Sequence, residues 1–275
     1  MTPPDPKLMS LNTATVRDQW TLEQVIEGCA RAGIAGISPW RDKLAECGAD
    51  KAARLIRTHG LTVTGYCRAG LFPANDAAER RQRLDDNRRA VDEAAAIGAQ
   101  CLIIVAGGLP QGSKDLAGAR AQVRDGMEAL ISHARQAKLD LAIEPLHPMY
   151  AADRACINTL GQALDLCDGL GEGVGVAVDV YHLWWDPDLE RQIQRAGRRI
   201  LAFHICDWLV PTTDLLLDRG MMGDGVIDIR GIRGMVERAG YRGFAEVEIF
   251  SKNNWWKRPA DEVLATAIER YRKVC

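Results

Sequence analysis

A chain of 275 residues with 35 Lys and Arg against 37 Asp and Glu has a formal net charge of −2, so its overall charge draws it neither to nucleic acid nor to an anionic membrane. No apolar run reaches the ~20 residues of a membrane span, and the opening MTPPDPKLMS lacks the basic and apolar stretches of a signal peptide. A cytoplasmic protein with a small-molecule partner is expected, with no membrane or nucleic-acid partner and with a homo-oligomer left open.

Short apolar runs alternate with helix-like segments along the whole chain. Strands are predicted over 8–15, 34–40, 61–67, 101–106, 140–146, 174–181, 199–206 and 243–250. Helices are predicted between them over 21–32, 42–59, 76–98, 115–137, 157–169, 187–197 and 228–239, with 259–273 closing the chain. Gly33, Gly60, Gly98 and Gly240 stand where helices should end. Such an alternation predicts a single (β/α)₈ TIM barrel over residues 1–275, since barrels of about 250 residues commonly form one unit. No GxGxxG or GxxxxGK[ST] follows a strand, which argues against a dinucleotide or P-loop fold. The eight cysteines (29, 47, 67, 101, 156, 167, 206, 275) form no CxxC pair and read as reduced, mostly buried thiols.

Four acceptor residues fall late in the last four strands: Glu144 in LAIEPLHP, Asp179 in VGVAVDVYH, His204 in ILAFHICDW and Glu248 in FAEVEIF. Parallel strands deliver their C-terminal ends to one face, so these remote residues can converge on one divalent metal ion. Three carboxylates and an imidazole suit Mn²⁺ first, with Mg²⁺, Co²⁺ or Zn²⁺ open. The two-residue period of a strand then turns Ala142, Ala177, Ala202 and Glu246 inward, one step deeper. The alanines leave space beneath the site. A carboxylate at that depth must be hydrogen-bonded or protonated, so Glu246 is expected in a supporting network and Glu248, nearer the strand end, as the ligand.

Other residues on the same face are candidates for substrate contact. Trp184, Trp185, Trp208, Trp255 and Trp256 follow strands while Trp40 ends the second, and flat rings such as that of Trp184 suit the C–H faces of a sugar. Asp207 in HICDW is expected to orient a ligand or the substrate, and His147 to fix a loop. Arg41 and Arg68, just after the second and third strands, could bind a carboxylate or phosphate, or equally cap a helix or pair at the surface.

The segments IEP, VDVYH, FHICD, DRGMMGDGVID and EVEIF resemble the sugar isomerase/epimerase superfamily built on a xylose isomerase-like TIM barrel, which includes ketose 3-epimerases, hydroxypyruvate isomerase and inosose isomerases and dehydratases. The resemblance implies that Glu144, Asp179, His204 and Glu248 bind one divalent metal, that the two glutamates face each other across the substrate, and that His182 and Arg219 hold substrate oxygens.

The residue types fit the chemistry. Removing a weakly acidic proton beside a carbonyl needs a placed base and a cation to stabilise the enediolate. Glu144 and Glu248 then serve as catalytic base and acid, which predicts a metal-dependent sugar, keto-sugar or cyclitol isomerase or epimerase of carbohydrate metabolism. The alternative is a lyase, inosose dehydratase-like or 3-oxo-glycoside-cleaving, in which the same abstraction expels a leaving group. Abasic-site endonucleases of the superfamily need extra histidines at early strand ends; Trp40-Arg41 and Cys67-Arg68 stand there instead.

Overall fold

Strand runs that are apolar on both faces must be covered on both faces, and here they form a ring wrapped by helices. The computed structural model describes residues 3–275, leaving the first two residues of the MTPPDPKLMS start outside. The strands are β1 (Met9–Asn12), β2 (Gly36–Ser38), β3 (Thr62–Val63), β4 (Tyr66–Gly70), β5 (Cys101–Val105), β6 (Asp140–Ile143), β7 (Val174–Asp179), β8 (Ile200–Ile205), the short β9 (Asp207–Trp208) and β10 (Arg219–Gly220), and β11 (Ala245–Val247). Nine of them make one parallel sheet in the order β3-β2-β1-β11-β8-β7-β6-β5-β4. The outermost two, β3 and β4, are halves of one stave broken at Thr64 and Gly65, and a parallel bridge from Trp40 to Cys67 carries the pairing of β2 onto the second half. The fold is a TIM barrel, with the predicted third strand split in two.

The helices are α1 (Leu22–Ala32), α2 (Arg41–Cys47), α3 (Ala49–Thr58), α4 (Ala77–Ala96), α5 (Leu116–Gln136), α6 (Leu160–Leu170), the one-turn α7 (Val180–Leu183), α8 (Leu189–Ala196), α9 (Ile229–Arg238) and α10 (Ala260–Val274). The predicted helix 42–59 is two helices, because Gly48 takes φ +83° between them, a conformation open to glycine at little cost. The unpredicted α7 starts where Asp179 Oδ1 accepts the Tyr181 N–H at 2.7 Å, so the residue that ends β7 also caps the turn after it.

Two apolar layers result. The larger lies between strands and helices, with Leu11, Ile37, Leu102, Ile104, Leu141 and Val178 each fully enclosed, worth ~1.5–3 kcal/mol per aliphatic side chain. The smaller fills the barrel interior with Cys67, Cys101, Ile103, Ala142, Ala177 and Ala202, which puts the three predicted alanines inside, below the C-terminal strand ends. All eight cysteines are free thiols, and only Cys47 is not buried. Among the described residues no helix is long and apolar enough to cross a membrane.

Candidate metal centre

Strand register assembles the four acceptors. Asp179 lies beside His204 in the β7–β8 pair, and His204 lies beside Glu246 in the β8–β11 pair. Glu144 and Glu248 follow β6 and β11 directly, their N–H groups still donating to Ile104 and Ile205 carbonyls at 2.9 and 3.1 Å. One ligand atom from each of Glu144, Asp179, His204 and Glu248 lies within 4.8 Å of all the others, and all four residues are buried. His204 Nδ1 is 2.9 Å from Glu144 Oε1 and 4.0 Å from Glu248 Oε2. Despite that proximity, Glu144 Oε1 and both ring nitrogens of His204 have no hydrogen-bond partner. Buried polar atoms left unpaired cost free energy, and a divalent cation among these oxygen and nitrogen donors would remove that cost for Glu144 Oε1 and His204 Nδ1. The residues fit a metal.

A second group, Cys67, Glu246 and Glu248, also lies within reach of one ion, but the Glu246 carboxylate is already committed. It accepts Asn12 Nδ2 at 2.7 Å and Thr64 Oγ1 at 2.9 Å, and its Oε1 is 3.5 Å from His204 Nε2. A carboxylate behind the far ring nitrogen orients the imidazole so that Nδ1 faces the other three acceptors. Burial and the carboxylates of Glu248, Glu246 and Glu144 push the Cys67 thiol well above its ordinary range, away from the thiolate a metal would bind.

Asn12, unmarked in the sequence reading, ties the site together. Its Nδ2 also donates to Glu248 Oε1 at 2.9 Å, and its Oδ1 accepts Trp40 Nε1 at 2.8 Å. An amide residue closing the buried MSLN strand was the available signal.

Arg219 and His182 stand above the four acceptors. Arg219 Nη1 lies 3.3 Å from Asp179 Oδ2 and 3.2 Å from Glu248 Oε2, and Nη2 lies 3.3 Å from His182 Nε2. The rings of Tyr181 and Phe250 lie 4.3 and 5.0 Å from its guanidinium carbon. His182 Nδ1 accepts the His147 N–H at 3.2 Å, so the proton of the neutral ring belongs on Nε2, on the Arg219 side. Burial, reinforced by Arg219, holds the His182 pKa well below the usual range and keeps it neutral. For His204 burial opposes the charged ring, but Glu246, Glu144 and Glu248 outweigh it and raise its pKa well above the ordinary value. Burial pushes Glu248 up to about 8 against the pull of Arg219 and His204, and raises Asp179 against Arg219.

A cavity of about 570 Å³ opens above this cluster, and Glu144, His182, Arg219 and Glu248 reach its wall. Two residues expected to contact substrate, Trp184 and Asp207, do not line this cavity. Trp184 packs on Trp208 with ring centroids 5.7 Å apart, and Trp208 stacks on Tyr181 at 4.7 Å. Asp207 spends its carboxylate on the backbone, Oδ1 accepting Trp208 and Ile227 N–H at 2.9 and 3.0 Å and Oδ2 accepting Gly223 N–H at 2.8 Å. Arg41 is held by Asp86 at 2.7 Å and Glu93 at 2.9 Å on α4 and is absent from the wall of this cavity, which Arg68 and Trp40 do line. His147 accepts the Met149 N–H at 3.2 Å and caps its own loop.

The sequence model of one family, described as xylose isomerase-like TIM barrel, matches residues 26–274. No curated protein matches. A crystal structure of a protein from Sinorhizobium meliloti 1021 shares 61% identity, with 98% of this chain and 99% of that one covered and a TM-score of 0.97. The IolI protein with a binding zinc atom is 19% identical, covering 97% of each chain at a TM-score of 0.84. A D-allulose 3-epimerase from Methylomonas sp. is 18% identical over 100% of both chains at a TM-score of 0.79. The last two likenesses speak for the fold.

Proposed function

Because the chain belongs to the xylose isomerase-like TIM barrel family, we propose that it is a divalent-metal-dependent isomerase or epimerase of a sugar, keto sugar or cyclitol, working in the cytoplasm by proton transfer beside a carbonyl. The observation carrying this reading is that Glu144 and Glu248 share one cavity with His182 and Arg219 while their ligand atoms lie within 4.8 Å of those of Asp179 and His204. Support comes from two structural neighbours, a D-allulose 3-epimerase and an IolI protein with a binding zinc atom.

Glu144, Asp179, His204 and Glu248 would hold the ion, with Mn²⁺ the first choice for a site rich in carboxylate. When bound, it supplies the positive charge that makes a proton beside a carbonyl acidic. Glu248, whose carboxylate reaches the cavity wall, carries that proton. Asn12 Nδ2 holds Glu248 Oε1 and leaves Oε2 toward Arg219. His182 donates from Nε2 and Arg219 from its guanidinium to substrate oxygens, restraining the reacting carbon between the two glutamates. Delivery of a proton by Glu144 to the opposite face inverts the centre; return by Glu248 to the neighbouring carbon exchanges aldose and ketose.

Incubation of metal-loaded protein with ketoses, inososes and 3-oxo sugars in D₂O tests the reading. Deuterium on carbon without mass loss is expected. Loss of water or of an aglycone would replace it with the lyase reading, and absence of any exchange would remove the proton-transfer reading altogether.

A further inference from the structure

The cavity above the acceptors has a basic outer wall. Arg17, Arg68 and Arg154 all line it. Arg17 is ion-paired with Asp42, and Arg154 lies 3.9 Å from its neighbour Asp153. Arg68 differs from both: among the described residues it makes no hydrogen bond or ion pair, and its one contact of this kind is with the Trp40 ring, 6.0 Å from the guanidinium carbon. It is only half-exposed, and burial lowers its pKa, so its five donors sit partly dehydrated with no acceptor. The acidic groups that attract it across the cavity are Glu144 and Glu248, and a divalent ion together with Arg219 would balance the charges of Glu144, Asp179 and Glu248. With the ion in place, Arg68 is the uncompensated cation of the cavity. A second cavity of about 760 Å³ shares Arg17, Trp40, Cys67, Arg68, Leu71 and Asp153 with the first, which sets Arg68 where the two join.

We propose that Arg68 binds an oxyanion on the substrate, so that the enzyme acts on keto sugars or cyclitols carrying a carboxylate or phosphate remote from the reacting carbons. This rests on the isomerase or epimerase reading for the reacting end alone; the anion site stands on its own observations. A planar guanidinium fork pairs with either oxyanion through two parallel N–H···O bonds. Trp40 holds the fork from one side, and its own Nε1 is fixed on Asn12 Oδ1, so the anion site and the Glu248 support share one residue.

The test is calorimetric binding to metal-loaded protein of three unreactive probes: sorbitol, sorbitol 6-phosphate and L-gulonate. At least one anionic probe should bind tenfold or more tightly than sorbitol, and which one does so tells phosphate from carboxylate. Arg68→Ala should erase that advantage, and Arg68→Lys should keep part of it as a charge without the fork. Equal binding of sorbitol and both anions by the wild-type protein overturns the proposal, as does an anion preference that survives Arg68→Ala at full size. Since these probes do not react, their result is independent of the D₂O exchange: exchange without anion preference sinks the anion site alone, and anion preference without exchange sinks the chemistry alone.

Discussion

Replacing Asp207 separates a loop anchor from a substrate contact. Its two oxygens accept three backbone N–H groups, from Trp208, Gly223 and Ile227, and the residue is 1% exposed. Hydrogen bonds to a charged acceptor are worth about 1.5–3 kcal/mol each, and a buried donor left unpaired costs a similar amount. Asp207→Ala strands all three donors, and with partial relief by water the expected loss is about 3–6 kcal/mol. In Asp207→Asn the amide oxygen can keep the Oδ1 pair of bonds while its NH₂ meets the Gly223 N–H donor to donor, for about 2–3 kcal/mol. The anchored segment runs from β9 through β10, which carries Arg219 opposite Trp208 and Gly220 opposite Asp207. Both variants should therefore lower kcat/KM at least tenfold through a displaced Arg219 while retaining a full complement of metal. Urea unfolding, metal analysis and exchange kinetics on the same samples measure the three effects. An Asn variant as stable as wild type that has lost turnover would refute the anchor and return Asp207 to the substrate.

Purified protein is expected to hold about one divalent ion per chain, with exchange abolished by chelation; His204→Ala should weaken binding by removing the only nitrogen ligand, and full turnover by metal-free protein would contradict the centre. Glu248→Gln should suppress deuterium exchange by ~10²–10⁴ because an amide is no base, whereas Glu246→Gln, which can still accept from Asn12 and Thr64, should retain most exchange and act mainly on stability or metal affinity; the opposite pattern moves the base to Glu246. The pH dependence follows from Glu248, raised to about 8, and His204, raised well above the histidine range. A raised pKa in the folded state gives stability that is present in full at pH below the unfolded value and is lost as pH climbs through the folded value, while a cation needs both groups deprotonated. The gap in melting temperature between Mn²⁺-loaded and chelator-treated protein should thus widen as pH rises through about 8; a gap that narrows contradicts the assignment.

Much of the fold was legible because each stave announces itself by composition and several helix exits by glycine, as at Gly33, Gly60, Gly98 and Gly240, all with positive φ. The gathering of Glu144, Asp179, His204 and Glu248 was legible for a related reason: a parallel barrel turns equivalent positions along separate strands into neighbours. The break at Thr64 and Gly65 was not, since Thr64 turns its hydroxyl to Glu246 across 182 residues of sequence. Nor could the fate of Arg41 be read, because Asp86 and Glu93 meet it from a helix more than forty residues away. The neighbours of Trp184 were not legible either: an aromatic after a strand can serve a ligand or other aromatics, and Trp184 lies against Trp208, which stacks on Tyr181.

The alanine and cysteine layer beneath the acceptors bears on proton traffic. Below Glu248 the polar path runs from Asn12 to Glu246, Thr64 and Ser10, whose hydroxyl lies 2.7 Å from that of Thr64. Among the described residues it ends at Ser10, which has no exposure, and Cys101, Ala142 and Ala202 of the interior layer offer no efficient relay. The cavity mouth is then the door by which the reacting glutamates meet bulk water, and a seated substrate stands in it. A proton lifted from carbon stays within the closed site, on a glutamate or back on the substrate, until the door opens, so solvent label enters at the pace of release and rebinding, and it accumulates over many visits rather than within one.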